Sequence, residues 1–425
     1  MSKPSLRIVM LSDDKGRALV ILPYDELLNL VSVWKHTQRR LQPLSAHDAS
    51  AFFNQSALNH AKGLEQLLAL PILADPDCVL EGEFEVLETN SGRTLKLNAT
   101  MLKDKLQLCK LSITTDAIDA KQISGTDVTV ISRSVEKFTT LRIKQRLEDT
   151  LGLPTLPPTA QKIIELRANP NAGVDDLVPI VKMDPSLSAQ VMSWAASPYY
   201  AAPGGIDSIH DAIVRVLGYD LVVNLALGVA MGRSLKLPSD TPRGSTPYWL
   251  QAIFCATLAE KLAKQIPAEQ RPRPGLVYLS GLLHNFGYLI LAHVFPPHFS
   301  LVSRYIEANP HLHHEHIEKQ ILNVTREQIG SWLSETWSLP EEVCKGIRYQ
   351  NTLDYQQEHQ NYAHLIDLTL RVMRANGIGD GPVGTIPQAL YQQLGLEPQT
   401  VQNTFNLIYT KTDKLEEMGK FLKVS

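Results

Sequence analysis

Few features of this 425-residue chain mark an unusual environment. Its only cysteines, Cys78, Cys109, Cys255 and Cys344, are far apart and form no C-x-x-C pair, so the sequence lacks the usual spacing of a zinc finger or a thioredoxin-like redox motif. Reduced thiols in a cytoplasm are therefore expected. The net charge is only −3, which gives no overall field toward nucleic acid or an anionic membrane.

Long hydrophobic runs are also missing. No segment approaches the roughly 18 apolar residues that span a bilayer. The first apolar run ends at Asp13-Asp14, which is too early for a signal-peptide core. The sequence contains no G-x-S-x-G elbow, P-loop or G-x-G-x-x-G turn. We therefore expect a cytoplasmic protein without a membrane partner and without these common catalytic motifs.

The first 121 residues combine strand-like and helical patterns. Leu6–Leu11 and Ala18–Leu22 are apolar runs on either side of a turn that ends at Gly16. A second hairpin turns at Asn90-Ser91-Gly92, and helical spacing occupies much of the chain between the two hairpins. This mixture predicts an α+β domain over residues 1–121.

The rest of the chain divides into a linker and a helical part. Residues 122–150 carry the basic stretch Arg142, Lys144 and Arg146, where a solvated linker helix is favoured over a phosphate-binding patch because charge runs are usually surface. Residues 151–425 predict an all-α domain, with proline or capping residues at repeated helix starts, among them Pro157-Pro158, Asp184-Pro185 and Ser208. Helices are predicted over 219–234, 246–266, 272–292, 296–308, 312–323, 325–336, 340–350, 358–376 and 397–420.

A series of short motifs in this helical part follows a recognisable order. They are Leu153–Pro157, Lys182–Ser188, Ala195–Tyr200, Ala212–Gly218, Gly281–Gly287, Ile329–Leu333 and Trp337–Pro340. In content and order they resemble the HDOD domain, a degenerate member of the HD superfamily. Ala196 departs from the family pattern, which usually has asparagine at that position. The resemblance implies a single irregular helical domain with a role in bacterial signalling.

The resemblance also shows where an active HD domain would hold one or two divalent metals. These positions read Gln251, His284, Asn285, Arg326, Gln350, Asn351 and Asp367. Only His284 and Asp367 keep a metal-ligand type, and Arg326 would repel a cation. We therefore predict no catalytic residue, no metal and no cofactor, and we expect these residues to line a degenerate ligand pocket. For His284 alone, a hydrogen-bonded core histidine is the simpler interpretation.

Binding rather than catalysis follows as the expected function. The predicted protein is a non-catalytic signal-transduction output or adaptor, whose HDOD domain binds a regulatory protein partner or a nucleotide-like second messenger. A residual metal-dependent phosphohydrolase is the alternative within the same domain. The sequence leaves the oligomeric state open.

A histidine-rich segment, His311-Leu312-His313-His314-Glu315-His316, offers a second set of possible metal ligands. On a helix, His314 and Glu318 would share a face at i, i+4 spacing. The segment follows Asn309-Pro310, which resembles a helix start, and we expect it to be a solvated surface rather than a metal site.

The N-terminal part resembles a shortened YbaK or prolyl-tRNA-synthetase-associated deacylase domain. Leu70–Asp75 and the hairpin at Asn90-Ser91-Gly92 carry this resemblance. It implies aminoacyl-tRNA trans-editing, with tRNA as a partner, as an alternative function. Arg7 occupies the position of the family's key lysine, and a guanidinium does not replace a compact ammonium like for like. A docking or dimerisation unit is the other possibility for this domain.

Overall fold

The computed structural model of the chain describes residues 5–102, 105–120, 125–139, 151–153, 155–196, 200, 205–232, 234–413 and 415–416. A β-sheet with short helices occupies the N-terminal part, and helices form the C-terminal part. The two-part architecture predicted from the sequence is therefore confirmed.

A central antiparallel hairpin organises the N-terminal part. Its strands β1 (Leu6–Asp13) and β2 (Gly16–Pro23) pair along their whole length, and Gly16 closes the turn at φ +130°. The other strands are β3 (Glu26–Leu28), β4 (Gln42–Pro43), β5 (Ile72–Ala74), β6 (Glu83–Glu88), β7 (Arg93–Asn98), β8 (Leu106–Leu108) and β9 (Ser112–Thr114). The main sheet has the order β7-β6-β1-β2-β5-β8, and β4 pairs with β1.

Short helices flank this sheet. They are α1 (Leu30–Thr37), α2 (Ala46–Phe53), α3 (Ala61–Leu67) and α4 (Thr115–Ala120), with 3-10 turns at Ser56–Asn59 and Ala99–Met101. The strands β3 and β9 form a separate antiparallel pair. The hairpins predicted at Gly16 and at Asn90-Ser91-Gly92 are both present.

Alternate residues of the central hairpin belong to two different hydrophobic cores. Ile8, Met10 and Ile21 pack into a core that lies within the N-terminal part. Val9 and Val20 point to the opposite face and join the core of the helical part. This follows from the two-residue period of a strand, which sends neighbours to opposite faces. One face of the sheet is therefore buried against the helices.

The helical part begins with α5, which lies in the predicted linker. Its elements are α5 (Asp127–Phe138), α6 (Pro158–Ala168), α7 (Val174–Met183), α8 (Pro185–Ala196), α9 (Ile209–Asp211) with a π-helical continuation at Ala212–Leu217, α10 (Tyr219–Gly232), α11 (Tyr248–Ala263), α12 (Pro274–Leu283), α13 (Phe286–Val294), α14 (Pro296–Ala308), α15 (His314–Leu322), α16 (Arg326–Thr336), α17 (Glu341–Arg348), α18 (Gln360–Ala375), α19 (Gln388–Leu394) and α20 (Pro398–Tyr409). Most predicted helices thus exist at about their predicted positions.

Two differences from the predicted helices matter for the site. The helix predicted over 272–292 is interrupted at His284-Asn285, where α12 ends and α13 begins. The helix predicted over 312–323 begins only at His314, because His313 is its N-cap. Both breaks place side chains at helix ends, where they point into the space between helices.

One helical stretch has the length and apolar character of a membrane span. This stretch is Pro274–Val294, and 89% of its most apolar 18-residue window is buried inside the structure. Its apolar side chains therefore pack against other helices of the same chain, as expected for a core helix.

The described part of the predicted linker is docked on the helical part. Helix α5 buries Val130, Ile131 and Val135 in the shared core, and the carboxylate of Asp127 accepts hydrogen bonds from Arg348. The basic stretch 142–146 lies outside the described residues.

Candidate functional site

Six of the seven residues predicted for the degenerate HD pocket line one small cavity. They are Gln251, His284, Asn285, Arg326, Gln350 and Asn351. They come from α11, from the break between α12 and α13, from the start of α16 and from the turn after α17. The cavity measures about 30 Å³, which is room for about two water molecules.

Close packing of two helices positions the arginine at this cavity. Gly287 on α13 lies against α16, and a Cβ atom at residue 287 would be 1.8 Å from the carbonyl oxygen of Arg326. A Cβ atom at Gly330 would be 2.9 Å from the backbone nitrogen of Gly287. Side chains at either glycine would force the helices apart, so these glycines allow Arg326 to lie beside Asn285.

Arg326 is held by several protein groups. Its Nε donates to Oε1 of Glu318 at 2.6 Å, its backbone N–H donates to Oε2 of the same carboxylate at 2.9 Å, and its Nη1 donates to Oδ1 of Asn285 at 3.0 Å. Its guanidinium also lies 4.9 Å from the centroid of the Tyr288 ring. Arg326 and Glu318 are 3% and 0% exposed. The pair is therefore a desolvated ion pair in the wall of the cavity.

The charges of Arg326 and Glu318 stabilise each other. Burial lowers the pKa of Arg326, but the carboxylates of Glu318 and Glu327 outweigh that effect and the pKa is raised overall. Burial raises the pKa of the Glu318 carboxyl, and Arg326 offsets part of this rise. The guanidinium stays charged at any physiological pH.

A second buried pair faces the same cavity. The Nε2 atom of His314 lies 2.8 Å from Oε1 of Glu327, and the amide of Asn351 donates to the same oxygen at 2.9 Å. Burial raises the pKa of Glu327, whereas His314 and Arg326 lower it more strongly, so the pKa lies well below its usual range. Glu327 is therefore ionised.

His284 is a neutral buried histidine. Its Nδ1 lies 2.7 Å from the carbonyl oxygen of Gly281, one turn earlier on α12, and its own carbonyl accepts from the amide of Gln350 at 2.8 Å. Burial lowers the pKa of His284 to about 4. These contacts suit a core histidine that joins two chain segments.

The low pKa of His284 predicts a loss of stability on mild acidification. In the unfolded chain a histidine has a pKa near 6.5. Between pH 6.5 and about 4, the unfolded state therefore binds a proton at His284 that the folded state does not bind. The neutral His284 side chain contributes about 3 kcal/mol to the free energy of unfolding above pH 6.5, and this contribution is lost as the pH falls to 4. Urea unfolding of wild type and His284→Gln over this range measures it. The variant should show the shallower decline, and equal slopes would contradict the assignment.

The structure places Asp367 elsewhere than the sequence predicted. It does not line the cavity. Its Oδ1 accepts from Nε of Arg371 at 2.7 Å on the same helix, α18, and burial raises its pKa. The residue lies nearer the N-terminus of α18 than Leu370 and Arg374, which do reach the cavity, so its carboxylate serves an intrahelical ion pair.

Several lining residues were not predicted. They are His314, Glu327, Leu370, Arg374, Ile378, Gly379 and Asp380. Asp380 lies in the glycine-rich loop that follows α18, residues 377–384. Its Oδ1 accepts a hydrogen bond from the amide of Gln251 at 3.2 Å. Gly377, Gly379 and Gly381 all have positive φ, which lets the loop fold back over the cavity. The available signals were the i, i+4 pair His314 and Glu318 and the carboxylate of Glu327 beside Arg326.

The histidine-rich segment is not the solvated surface that the sequence suggested. His314 is only 9% exposed, and burial lowers the pKa of His313 well below its usual value. The ring of His311 contacts Tyr24 of the N-terminal part, with 5.1 Å between centroids. The prediction was wrong because the chain turns inward at 309–313 before α15 begins, which places His311 against the N-terminal part and His314 in the wall of the cavity.

A possible donor set for a divalent metal lies at the cavity. His314, Glu318 and Glu327 offer one ligand atom each, all within 4.8 Å of one another. However, Arg326 binds both oxygens of Glu318. Oε1 of Glu327 is bonded to His314 and Asn351, which leaves only its Oε2 without a partner among the described residues. A cation at this position would meet the guanidinium directly. As arranged, these residues do not fit a divalent ion.

Comparison with known proteins decides the family. The HDOD domain family matches residues 153–353. A crystal structure of a provisionally assigned signal transduction protein from Marinobacter aquaeolei VT8 is 40% identical, with a TM-score of 0.87 over 99% of this chain and 93% of that one. The chain therefore contains an HDOD domain over residues 153–353. Because this similarity covers both parts, the packing of the sheet against the HDOD domain is common to the two proteins.

More distant structures share the fold of the HDOD domain. An HDOD domain protein of unknown function from Geobacter sulfurreducens is 19% identical, with a TM-score of 0.52 over 69% of this chain and 98% of that one. A provisionally assigned phosphohydrolase from Shewanella amazonensis SB2B is 20% identical, with the same TM-score over 69% and 99%. An uncharacterised protein of Treponema pallidum is 26% identical over 292 residues, and this chain spans only 54% of its length.

Arg7, the residue at the predicted deacylase position, lies in the contact between the two parts. It is 0% exposed. Its guanidinium donates to the carbonyl oxygen of Ala308 at 3.0 Å and to Oδ1 of Asn309 at 2.6 Å. Ala308 is the last residue of α14 and Asn309 is its C-cap. Burial lowers the pKa of Arg7 to about 9. Arg7 therefore joins the sheet to the HDOD domain instead of facing a substrate cleft.

Proposed function

We propose that this HDOD-domain protein acts in signalling as a non-catalytic binding module. The support is the Arg326 network. A buried guanidinium, bound to Glu318 and Asn285, supplies the positive charge at the position where an HD hydrolase would use a metal. A guanidinium does not coordinate water, so it cannot activate a water molecule for attack on phosphorus as a bound metal would.

The same network argues against residual phosphohydrolase activity. A divalent ion would have to displace Arg326 and leave its charge buried beside the metal, which is costly. The cavity of about 30 Å³ is also far below the roughly 300 Å³ at which small-molecule sites begin. Recognition by this domain therefore uses surfaces or cavities around the network.

We also propose that the N-terminal part holds and orients the HDOD domain and does not hydrolyse aminoacyl-tRNA. The support is the burial of Arg7 against Ala308 and Asn309. A guanidinium bonded to protein in this way has no remaining role in positioning an ester.

Restoring ligand chemistry tests the proposal. The double variant Asn285→Asp, Arg326→His removes the guanidinium and leaves His314, Glu318 and Glu327 around the cavity, so it should bind one Mn²⁺ per chain. Wild type and the single variant Asn285→Asp, which keeps Arg326, should bind none. Calorimetry with MnCl₂ on tag-free protein measures this. Stoichiometric Mn²⁺ binding by wild type, with chelator-sensitive hydrolysis of bis-p-nitrophenyl phosphate, would refute the proposal.

A further inference from the structure

A larger cavity lies beside the Arg326 network. It measures about 320 Å³ and shares Asn351 and Arg374 with the smaller one. Its remaining walls are His313, Glu315 and His316 at the start of α15, Arg371 on α18, and Pro382 and Gly384 in the glycine-rich loop. Its volume falls at the lower end of the roughly 300–1,000 Å³ range of small-molecule sites.

The charge of this cavity is positive on balance. Arg371 and Arg374 are permanently charged, and Glu315, the single carboxylate in its walls, is bonded to Lys319 at 2.8 Å. Arg371 is paired with Asp367 at 2.7 Å. Within the described part of the chain, Arg374 forms no ion pair with a carboxylate. Its hydrogen-bonding partner there is Nε2 of His313, at 3.2 Å.

That contact does not neutralise Arg374. Burial keeps the pKa of His313 well below its usual value, so the imidazole is neutral and brings no charge to the guanidinium. Burial is the largest influence on the pKa of Arg374 and lowers it, and the carboxylates of Asp367, Glu327 and Asp380, which form no ion pair with it, offset this only in part. A partly buried guanidinium without an anion is the group that a phosphate would satisfy, because its N–H donors match phosphate oxygens in geometry and charge.

The glycine-rich loop leaves room for such a ligand. A Cβ atom at Gly381, which has φ +105°, would lie 3.4 Å from Nη1 of Arg374, so the backbone runs directly past the guanidinium. Nothing lies within 4 Å of a Cβ atom built at Gly384. The loop therefore lies close to the guanidinium at Gly381 and leaves open space at Gly384.

We propose that this cavity binds a small phosphate monoester of about mononucleotide size, with the phosphate on Arg374 and Asn351. This inference rests on the proposed function, since it supplies a ligand for the binding module. The phosphate is held and not cleaved. Its binding would be weakened by salt, because part of it is electrostatic.

Calorimetry on the full-length protein tests the proposal, with AMP and GMP as probes and adenosine and guanosine as their uncharged counterparts. We expect at least one nucleotide to bind and its nucleoside to bind at least about tenfold more weakly. Arg374→Met should weaken nucleotide binding at least about tenfold, since charge-assisted hydrogen bonds are lost. Lys236→Met, the same charge change at an exposed residue elsewhere, should leave it unchanged.

A second pair of variants keeps the test valid if Arg374→Met folds poorly. Gly384→Glu adds a negative charge at the open side of the cavity, where the side chain meets no atom, and should abolish nucleotide binding. Gly384→Gln adds a neutral side chain of the same shape and should retain most of it.

Three results would overturn the proposal: no binding of either nucleotide, equal binding of nucleoside and nucleotide, or equal effects of Gly384→Glu and Gly384→Gln. Failure of the non-catalytic function would look different. It would appear as Mn²⁺ binding and chelator-sensitive hydrolysis by wild type, whether or not nucleotides bind at this cavity.

Discussion

Replacing Arg326 with methionine is expected to lower the free energy of unfolding by about 3–5 kcal/mol. The change removes the cation bonded to Glu318, which is 0% exposed, and leaves a buried carboxyl that must be either desolvated or protonated. It also leaves Oδ1 of Asn285 without its donor. Urea unfolding followed by circular dichroism measures the loss.

The matched control also removes the Glu318 carboxylate that Arg326→Met leaves unpaired. In the double variant Arg326→Met, Glu318→Gln, no unpaired carboxylate is buried, so much of the lost stability should return. Arg304→Met, at a mostly buried arginine outside the cavity that is paired with Asp240 and Glu307, gives the effect of losing an ordinary arginine. Two results would show that the ion pair is not the organising element of the site. Arg326→Met could lower the free energy of unfolding no more than Arg304→Met does, or the double variant could be less stable than the single one.

The isolated N-terminal part, residues 1–121, is expected to lack a cooperative unfolding transition. Val9, Leu11, Val20 and Leu22 lie on the face of β1 and β2 that shares a core with the HDOD domain. Exposing side chains of this size costs roughly 1.5–3 kcal/mol each, and the exposed face would promote association. Thermal unfolding and light scattering of the fragment measure both effects.

Mixing the fragments provides the control. Residues 1–121 refolded together with residues 122–425 should recover a cooperative transition, because the shared face is covered again. The same preparation also tests aminoacyl-tRNA deacylation, which we expect to be absent. A monomeric fragment 1–121 that melts cooperatively, or that deacylates tRNA, would contradict this account of the N-terminal part.

Much of the HDOD domain could be predicted from the sequence because its signals are local. Helix starts at Pro158 and Pro185 and the N-cap at Ser208 need only neighbouring residues, and each is present. The break at His284-Asn285 was not predicted, because apolar residues continue on both sides of it. The short helix α19 also went unpredicted among polar residues.

The candidate site was predicted less completely, since its chemistry depends on long-range pairing. The sequence brought Gln251, His284, Asn285, Arg326, Gln350 and Asn351 together through a family resemblance. It could not show that Glu318 takes Arg326 as its partner, because each residue could as well have faced solvent. The role of Asp367 was misplaced for the same reason, since its choice of Arg371 is a matter of rotamer.

The division of β1 between two cores was also beyond sequence analysis. An apolar run on every residue of a strand indicates burial on both faces, but it does not identify what covers each face. Arg7 illustrates this point, since a charged residue in such a run resembles an active-site group. In the structure it is explained by Ala308 and Asn309, about 300 residues later in the chain.

We infer that the Arg326 guanidinium takes the place of a metal in this domain, and one measurement tests this inference directly. Crystals of wild-type protein grown with millimolar MnCl₂ would be examined for anomalous scattering at the manganese edge. We predict no anomalous peak in the cavity, with the Arg326 guanidinium between Glu318 and Asn285. A fully occupied manganese ion bound by His314, Glu318 and Glu327, with Arg326 displaced, would contradict it.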